Sequence, residues 1–164
     1  MARGLPTTTR WVVAGRSLTR VWVVALLLGA AAVPALAQDV GQVKVASGAT
    51  HIERAGQKLP APVGTKVMAA DVLVTGSGAS LGIAFLDNSL LSLGPNSVLV
   101  IDRFVFDPTS HQGTFDSSLK RGTLAGVSGK IAKQTPDAMK VRTPVAILGV
   151  RGTEFLVRTS SAAD

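Results

Sequence analysis

The chain has no cysteine, no tyrosine and few aromatic residues of any kind, and each shortage excludes a class of site. Without cysteine it forms no disulfide, and it offers zinc only histidine and carboxylate ligands. Both tryptophans, Trp11 and Trp22, lie in the first 37 residues, so the remainder keeps five phenylalanines. Proteins that bind single-stranded nucleic acid stack its bases on aromatic side chains. We therefore do not expect nucleic-acid binding.

Acidic residues are absent from the first 38 positions, and this segment has the pattern of an export signal. Four arginines precede an apolar run over residues 21–33, which is followed by a proline and then by Ala35 and Ala37. A positively charged start, a short apolar run and an A-x-A site are typical of a secretory signal peptide. We predict that residues 1–37 form such a peptide, as a short helix, with cleavage before Gln38.

The alternative to cleavage is an uncleaved membrane anchor, although the apolar run is shorter than the roughly 20 residues that cross a bilayer as a helix. The lack of cysteine after the run excludes a lipoprotein anchor. Removal of the segment leaves thirteen basic and ten acidic residues, a net charge of +3 instead of +7. Much of the positive charge therefore belongs to the predicted signal peptide.

Residues 38–164 are predicted to form one all-β domain. Apolar residues alternate with polar or small ones, as at Val43 and Val45 and again at Leu81 and Ile83, which is the period of a half-buried strand. Around Leu81 the intervening residues are also small or apolar, so we expect the second face of that strand to lie close to another layer. We predict a single compact β-sandwich or β-roll with a short, β-solenoid-like rhythm of strands and turns.

Turn residues separate the strands, at positions 75–78, 87–89 and 94–97. Glycine and asparagine accept positive φ and proline fixes φ, so such clusters indicate turns. We interpret Gly78 as part of a hairpin turn. Helix is suggested only over residues 128–133, and residues 130–140 are better interpreted as a mobile loop that leads to a strand over 138–143.

Two arrangements resemble catalytic or metal sites. Ser80 lies in a G-x-S-x-G sequence and His111 follows it, but a nucleophile elbow needs a helix after the serine, and the pattern predicts a strand there. A zinc site would need His51, His111 and nearby carboxylates, and the acidic residues are scattered singly. We predict no catalytic residue, no metal and no cofactor.

The sequence Arg151-Gly152-Thr153 precedes an alternating apolar strand. Glycine adopts backbone conformations that other residues resist, and arginine binds carboxylates and carbonyls. We expect Gly152 to have such a conformation and Arg151 to cap carbonyls or to pair with a carboxylate such as Glu154 or Asp87. Recognition of a ligand or partner by Arg151 is the alternative.

Several short segments, in a fixed order, resemble those of the FecR domain family. They begin with Val-Gly-Gln-Val at 40–43 and end with Gly-Val-Arg-Gly-Thr-Glu-Phe at 149–155. Asn88 stands where the family has glycine, a replacement that positive φ tolerates. The residues that we assign to the family pattern are Asp71, Thr75, Gly76, Asp87, Asn88, Ser89, Gly94, Pro95, Thr143, Pro144, Arg151, Gly152, Thr153 and Phe155.

The resemblance implies an extracytoplasmic all-β sensing or interaction module without catalysis. In the founding members this module lies on the periplasmic side of a transmembrane regulator and receives a signal from an outer-membrane transporter. Residues 1–20 are too few and too basic for the cytoplasmic sigma-binding domain of those regulators. We therefore carry over neither sigma-factor control nor iron transport.

We expect a periplasmic or secreted, non-catalytic module that binds another envelope protein or a glycan, with oligomers possible. A last strand is predicted near residues 155–159, with little to cover it, so either a partner covers it or the chain is a fragment. If its edge is exposed, strand addition is the natural binding mode. The alternatives are a structural unit of the envelope or of a larger adhesin-like protein, and the periplasmic part of a transmembrane signalling protein if the leader is retained.

Overall fold

The structure, a computed structural model, describes residues 38–152 and 154–160. The predicted signal peptide, with Ala35 and Ala37, lies outside the described residues, as does Thr153. The described residues form the strands β1 (Asp39–Ser47), β2 (Thr50–Arg54), β3 (Gln57–Pro60), β4 (Lys66–Met68), β5 (Val72–Thr75), β6 (Ser80–Phe85), β7 (Leu90–Leu93), β8 (Val98–Phe106), β9 (Gly113–Val127), β10 (Met139–Arg142), β11 (Ile147–Gly149) and β12 (Glu154–Thr159), and the helix α1 (Lys130–Gln134).

The prediction of an all-β fold is confirmed: the strands form an open sheet that curls into a half-barrel. Its main path runs in the order β3-β2-β5-β8-β9-β7-β6-β1-β4. Strands β10 and β12 also pair with β9, and β11 pairs with β10. All pairs are antiparallel except β9 with β10. In the part of the chain that is described, no helix is long and apolar enough to cross a membrane.

The 15-residue strand β9 connects two halves of the sheet. Its first part pairs with β8 and β10, and its last part, after Gly122, pairs with β7 and β12. We call the region of β1, β4, β6, β7, β12 and the end of β9 half A. Half B contains β2, β3, β5, β8, β10, β11 and the start of β9.

The chain passes from one half of the sheet to the other at bends that we call corners. The two strands joined by such a corner are consecutive in sequence but do not pair with each other. Strand β5 pairs with β2 and β8, whereas β6 pairs with β1 and β7, so the segment 76–79 carries the chain from half B to half A. The segment 94–97 between β7 and β8 is a second corner of the same kind. The interpretation of Gly78 as part of a hairpin turn was therefore wrong: the glycine lies at a corner of the curled sheet.

The core consists mainly of aliphatic residues. Phe85, Phe104 and Phe115 form its one aromatic cluster within the described residues, with ring centroids 4.6 to 5.6 Å apart. Burial of each large apolar side chain contributes about 1.5–3 kcal/mol. The alternation predicted for Leu81 and Ile83 is present, since both are buried and the residues between them face outward.

The segment after β9 differs in part from its prediction as a loop. Residues 130–134 form the short helix α1, because the buried side chains of Ile131 and Ala132 pack against the core. The chain then turns at Asp137, which has a φ of 66°. It enters β10 at Met139, within the stretch where a strand was expected.

Candidate functional site

Four of the family residues lie at the corners of the sheet. The Thr75 hydroxyl donates to the Gly94 carbonyl at 2.7 Å and accepts from the Ser97 N–H at 2.9 Å. The Gly76 N–H donates to the carbonyl of Ala49, in the turn between β1 and β2, at 2.8 Å. These bonds satisfy backbone N–H and C=O groups that have no partner in a neighbouring strand, because the chain bends at the corner.

Gly122 forms the corner of β9, and only glycine fits there. Its φ is +94°, and a Cβ at this position would lie 2.1 Å from Ser97 Oγ. The same Ser97 hydroxyl accepts the N–H of Thr123 at 2.9 Å. Pro95 and Asn96 lie in the adjacent corner between β7 and β8, and Asn96 has a positive φ of 52°.

Asp71 is a buried carboxylate that holds the start of β5. Arg54 donates to both of its oxygens at 2.7 Å, and the Met68 N–H donates to Oδ2 at 2.8 Å. This bidentate geometry raises the pKa of Arg54, chiefly through the hydrogen bond to Asp71. Arg54 also donates to the Lys66 carbonyl at 2.9 Å, so the pair joins β2 to the segments before β5.

The Asp87-Asn88-Ser89 turn connects β6 to β7 and anchors a distant segment. Asp87 accepts the N–H of Ser89 at 3.0 Å and its hydroxyl at 2.7 Å, and Asn88 has the positive φ expected of a replacement for glycine. Ser89 Oγ in turn accepts the Gly129 N–H at 2.9 Å, and the Asp87 carbonyl accepts the Lys130 N–H at 2.7 Å. The turn therefore fixes the start of α1.

Thr143 and Pro144 form the tight turn between β10 and β11. Thr143 Oγ1 accepts the Ala146 N–H at 3.0 Å, and the Thr143 N–H donates to the Ala146 carbonyl at 2.8 Å. The hairpin projects from half B, so Val145 is 90% exposed and Ile147 is also exposed. We call β10, β11 and this turn the projecting hairpin.

Arg151 pairs with Asp137, not with Glu154 or Asp87. Its Nε donates to Asp137 Oδ1 at 3.0 Å and its Nη2 donates to Oδ2. The hydrogen bonds from Arg151 lower the pKa of Asp137. Gly152 has a φ of +123°, as expected, and its carbonyl accepts the Ser128 hydroxyl. Arg151 thus stabilises the turn before β12 and remains solvent-exposed.

Phe155 lies on β12 directly opposite Gly126 of β9. A Cβ on Gly126 would lie 2.5 Å from the Phe155 ring, so the ring occupies the space that the glycine leaves. Phe155 is packed against the core. Its role in the structure is therefore to fasten the last strand to half A.

The residues considered for catalysis do not form a triad. Ser80 begins strand β6 instead of a helix, and the His111 ring stacks on Phe106 with its Nε2 3.4 Å from Lys130 Nζ. The aspartates that lie between them in the sequence and could complete a triad bond elsewhere: Asp87 as above, Asp102 to Ser118 at 2.5 Å, and Asp107 to Thr109 and Ser110. The bond from Ser110 is the chief reason that the pKa of Asp107 is lowered.

The histidines also remain apart from any cluster of metal ligands. His51 contacts Glu53 at 3.4 Å on β2, whereas His111 lies in the turn between β8 and β9. Among the residues that the structure describes, no three His, Asp or Glu side chains gather closely enough to hold a metal ion.

The outer side of half A, away from the core, is apolar. One register row across five strands contains Val45, Gly82, Ser92, Ala125 and Leu156. The adjacent row contains Ala84, Leu90, Val127 and Glu154. Small residues in the middle of these rows and large aliphatic ones around them leave a shallow groove of about 740 Å³. We call this surface the outer face.

The expected second layer over this face is not found among the described residues. Gly82 lies against Val45, since a Cβ there would be 3.2 Å from the Val45 Cβ, and no described segment packs above the two. Leu156 is 72% exposed, and Leu90 and Val45 are about half exposed. Contiguous exposed apolar surfaces of this kind are typical of interaction sites.

Strand β12 borders the outer face and has one unpaired edge. It pairs with β9 over residues 154–159, and no strand in the described part of the chain pairs with its other side. A sheet edge presents unsatisfied N–H and C=O groups to which another extended chain can bind. The outer face and the β12 edge together form the candidate functional site, which sequence analysis anticipated only as an exposed last strand.

Comparison with known proteins supports the family resemblance. A search of curated proteins gave no match, and a search of solved structures also gave none. The family described as FecR protein matches residues 71–163, which is more than half of the chain. The match begins at the buried Asp71 and includes the corners at 76–79, 94–97 and Gly122, and strand β12. The chain belongs to the FecR family, a family of regulatory and signalling modules.

Proposed function

We propose that the chain is an exported, non-catalytic FecR module that binds another protein of the cell envelope through the outer face and the β12 edge. The observation that carries this proposal is the apolar outer face beside the unpaired edge of β12. A partner strand added at β12 would receive backbone hydrogen bonds, and its side chains would extend over Leu156.

A protein partner fits this surface better than a glycan. Sugar-binding surfaces commonly present exposed aromatic rings to the sugar faces. The groove has one aromatic lining residue, Phe155, and its ring lies over Gly126 instead of facing outward. Aliphatic side chains beside backbone donors and acceptors suit an extended apolar segment of a protein.

The proposed location rests on the predicted signal peptide. Cleavage before Gln38 would release the domain into the periplasm or the medium. Retention of the leader would make the same domain the periplasmic part of a membrane-anchored signalling protein. Mass spectrometry of the N-terminus of the protein recovered from envelope and secreted fractions decides between the two.

The binding proposal is tested by cross-linked pull-down from an envelope fraction with the wild-type protein and two variants. Leu156→Lys places a charge on the outer face, and Val105→Lys is the matched control on an exposed position of β8 in half B. We expect an envelope protein to be captured by wild type and by Val105→Lys, and its yield to fall at least about tenfold with Leu156→Lys, because burying an unpaired charge opposes binding. Equal capture by all three proteins would refute the outer face as the binding surface.

A further inference from the structure

Of the four edge strands in the described sheet, β12 is the one suited to pairing with another chain. Strands β4 and β11 have only three residues each, and β3 contains Lys58 and Pro60. Short length, lysine and proline protect an edge from pairing. Strand β12 has six residues, Glu-Phe-Leu-Val-Arg-Thr, and no proline.

We propose that two copies of the chain pair through β12 in an antiparallel homodimer centred on Leu156. This inference rests on the proposed function and deepens it: the exported protein that adds a strand at the β12 edge is a second copy of this chain. An antiparallel pair related by a twofold axis is isologous: each residue i contacts residue j of the copy, and j contacts i. The β12 sequence is self-complementary in this arrangement, as its charges show.

The charges select the register. Glu154, Leu156 and Arg158 share the outer side of β12, and the two charged residues lie at equal distances from Leu156 along the strand. When Leu156 is opposite its copy, Glu154 of each chain is directly opposite Arg158 of the other. Opposite charges directly across an antiparallel pair are stabilising.

Other registers lose this match. Two other registers also keep the outer sides of both copies on the same side of the sheet. A pair centred on Phe155 places Leu156 opposite Glu154 of the copy, and a pair centred on Val157 places Leu156 opposite Arg158. A shift by one residue in the pairing would place the outer side of one copy beside the core side of the other. Only the Leu156-centred register combines matched faces with two ion pairs.

The side chains on both sides of the sheet are compatible with this register. On the outer side the two Leu156 side chains meet, which joins the two outer faces into one apolar surface. On the core side Phe155 lies opposite Val157 of the copy, and both are packed against the core of their own chain. Neither Glu154 nor Arg158 takes part in an ion pair within the described residues.

Arg158 is positioned for such a contact. Its Nε donates to Thr123 Oγ1 on β9 at 3.2 Å, which holds the side chain over the sheet surface. A guanidinium has five N–H donors, so the remaining ones can reach a carboxylate across the edge. Glu154 is exposed at the other end of the strand.

The test is sedimentation equilibrium over a concentration series, with the purified full chain as wild type, Glu154→Arg, Arg158→Glu and the double swap. Each single reversal places like charges opposite one another at both ends of the pair, so we expect dimerisation to weaken by about tenfold or more. The double swap restores opposite charges and should restore the wild-type dissociation constant. Lys58→Glu, an equal change of charge on β3, is the matched control and should leave it unchanged.

The outcomes separate this inference from the proposed function. A wild-type protein that is monomeric throughout, or single reversals that the double swap does not rescue, would overturn the homodimer. If wild type is monomeric and Leu156→Lys still abolishes capture of an envelope protein, the homodimer fails and the proposed function stands. If neither a dimer nor a Leu156-dependent partner is found, both proposals fail. Unchanged thermal unfolding of the exposed-site variants confirms that each has folded.

Discussion

At the scale of single residues, most of the family positions in the described chain have structural roles. Thr75 and Gly94 build a corner, Asp87 and Ser89 hold a turn, and Phe155 fastens the last strand. Their polar atoms are bonded within the fold, and no buried side-chain nitrogen or oxygen among the described residues lacks a partner. The motif therefore specifies the curled sheet, and the surfaces available for binding lie elsewhere.

The Arg54–Asp71 pair gives a prediction at this scale. Arg54→Ala would leave the fully buried Asp71 carboxylate without its cation, so we expect a loss of about 3 kcal/mol in the free energy of unfolding. Lys58→Ala, which removes the exposed partner of Glu53, is the control and should cost less than about 1 kcal/mol. Urea unfolding of both variants measures the difference, and equal losses would show that the buried pair does not hold β5 in place.

At the scale of strands and turns, the sequence predicted which residues are buried better than which strands are paired. Alternation at Leu81 and Ile83 identifies the core side of β6 because side chains on a strand alternate between its faces. Glycine, proline and asparagine mark where the chain bends, but they do not distinguish a hairpin from a corner. That distinction depends on pairing with strands far away in sequence, such as β1 with β6.

The partner of Arg151 was missed for a similar reason. Candidates were sought in the neighbouring strand and in the turn at Asp87, whereas the carboxylate comes from Asp137, in the segment before β10. Strand β10 pairs in parallel with β9, and Val150 returns to bond the Met139 carbonyl. This connection brings positions 137 and 151 together, and no local pattern in the sequence indicates it.

Gly122 gives a prediction at the scale of the corner. Gly122→Ala adds a Cβ 2.1 Å from Ser97 Oγ at a φ of +94°, so we expect a loss of about 3 kcal/mol or more in the free energy of unfolding. Gly56→Ala is the matched control, because Gly56 also has positive φ (+78°) but has no atom within 4 Å of the added Cβ. It should cost only about 1–2 kcal/mol. If the two variants unfold at the same urea concentration, the close packing at the corner is not what requires glycine.

At the scale of the whole molecule, curling of the open sheet separates an aliphatic core from an outer face of similar chemistry. Residues 39–68 form strands that pair with the region matched to the FecR family, so the outer face is built from both parts of the chain. The projecting hairpin exposes a second, smaller apolar surface at Val145 and Ile147. It lies on half B, whereas β12 belongs to half A, and thus offers an internal comparison.

The most direct test of the account is hydrogen exchange of the backbone amides, measured on the dilute protein and on the protein bound in an envelope extract. Addition of a strand at β12 satisfies its unpaired edge, so exchange of amides in residues 154–159 should slow on binding, while β3 should be unchanged. Protection confined to the projecting hairpin or to β3, with β12 exchanging as in the free protein, would contradict the assignment of the outer face and the β12 edge as the binding site.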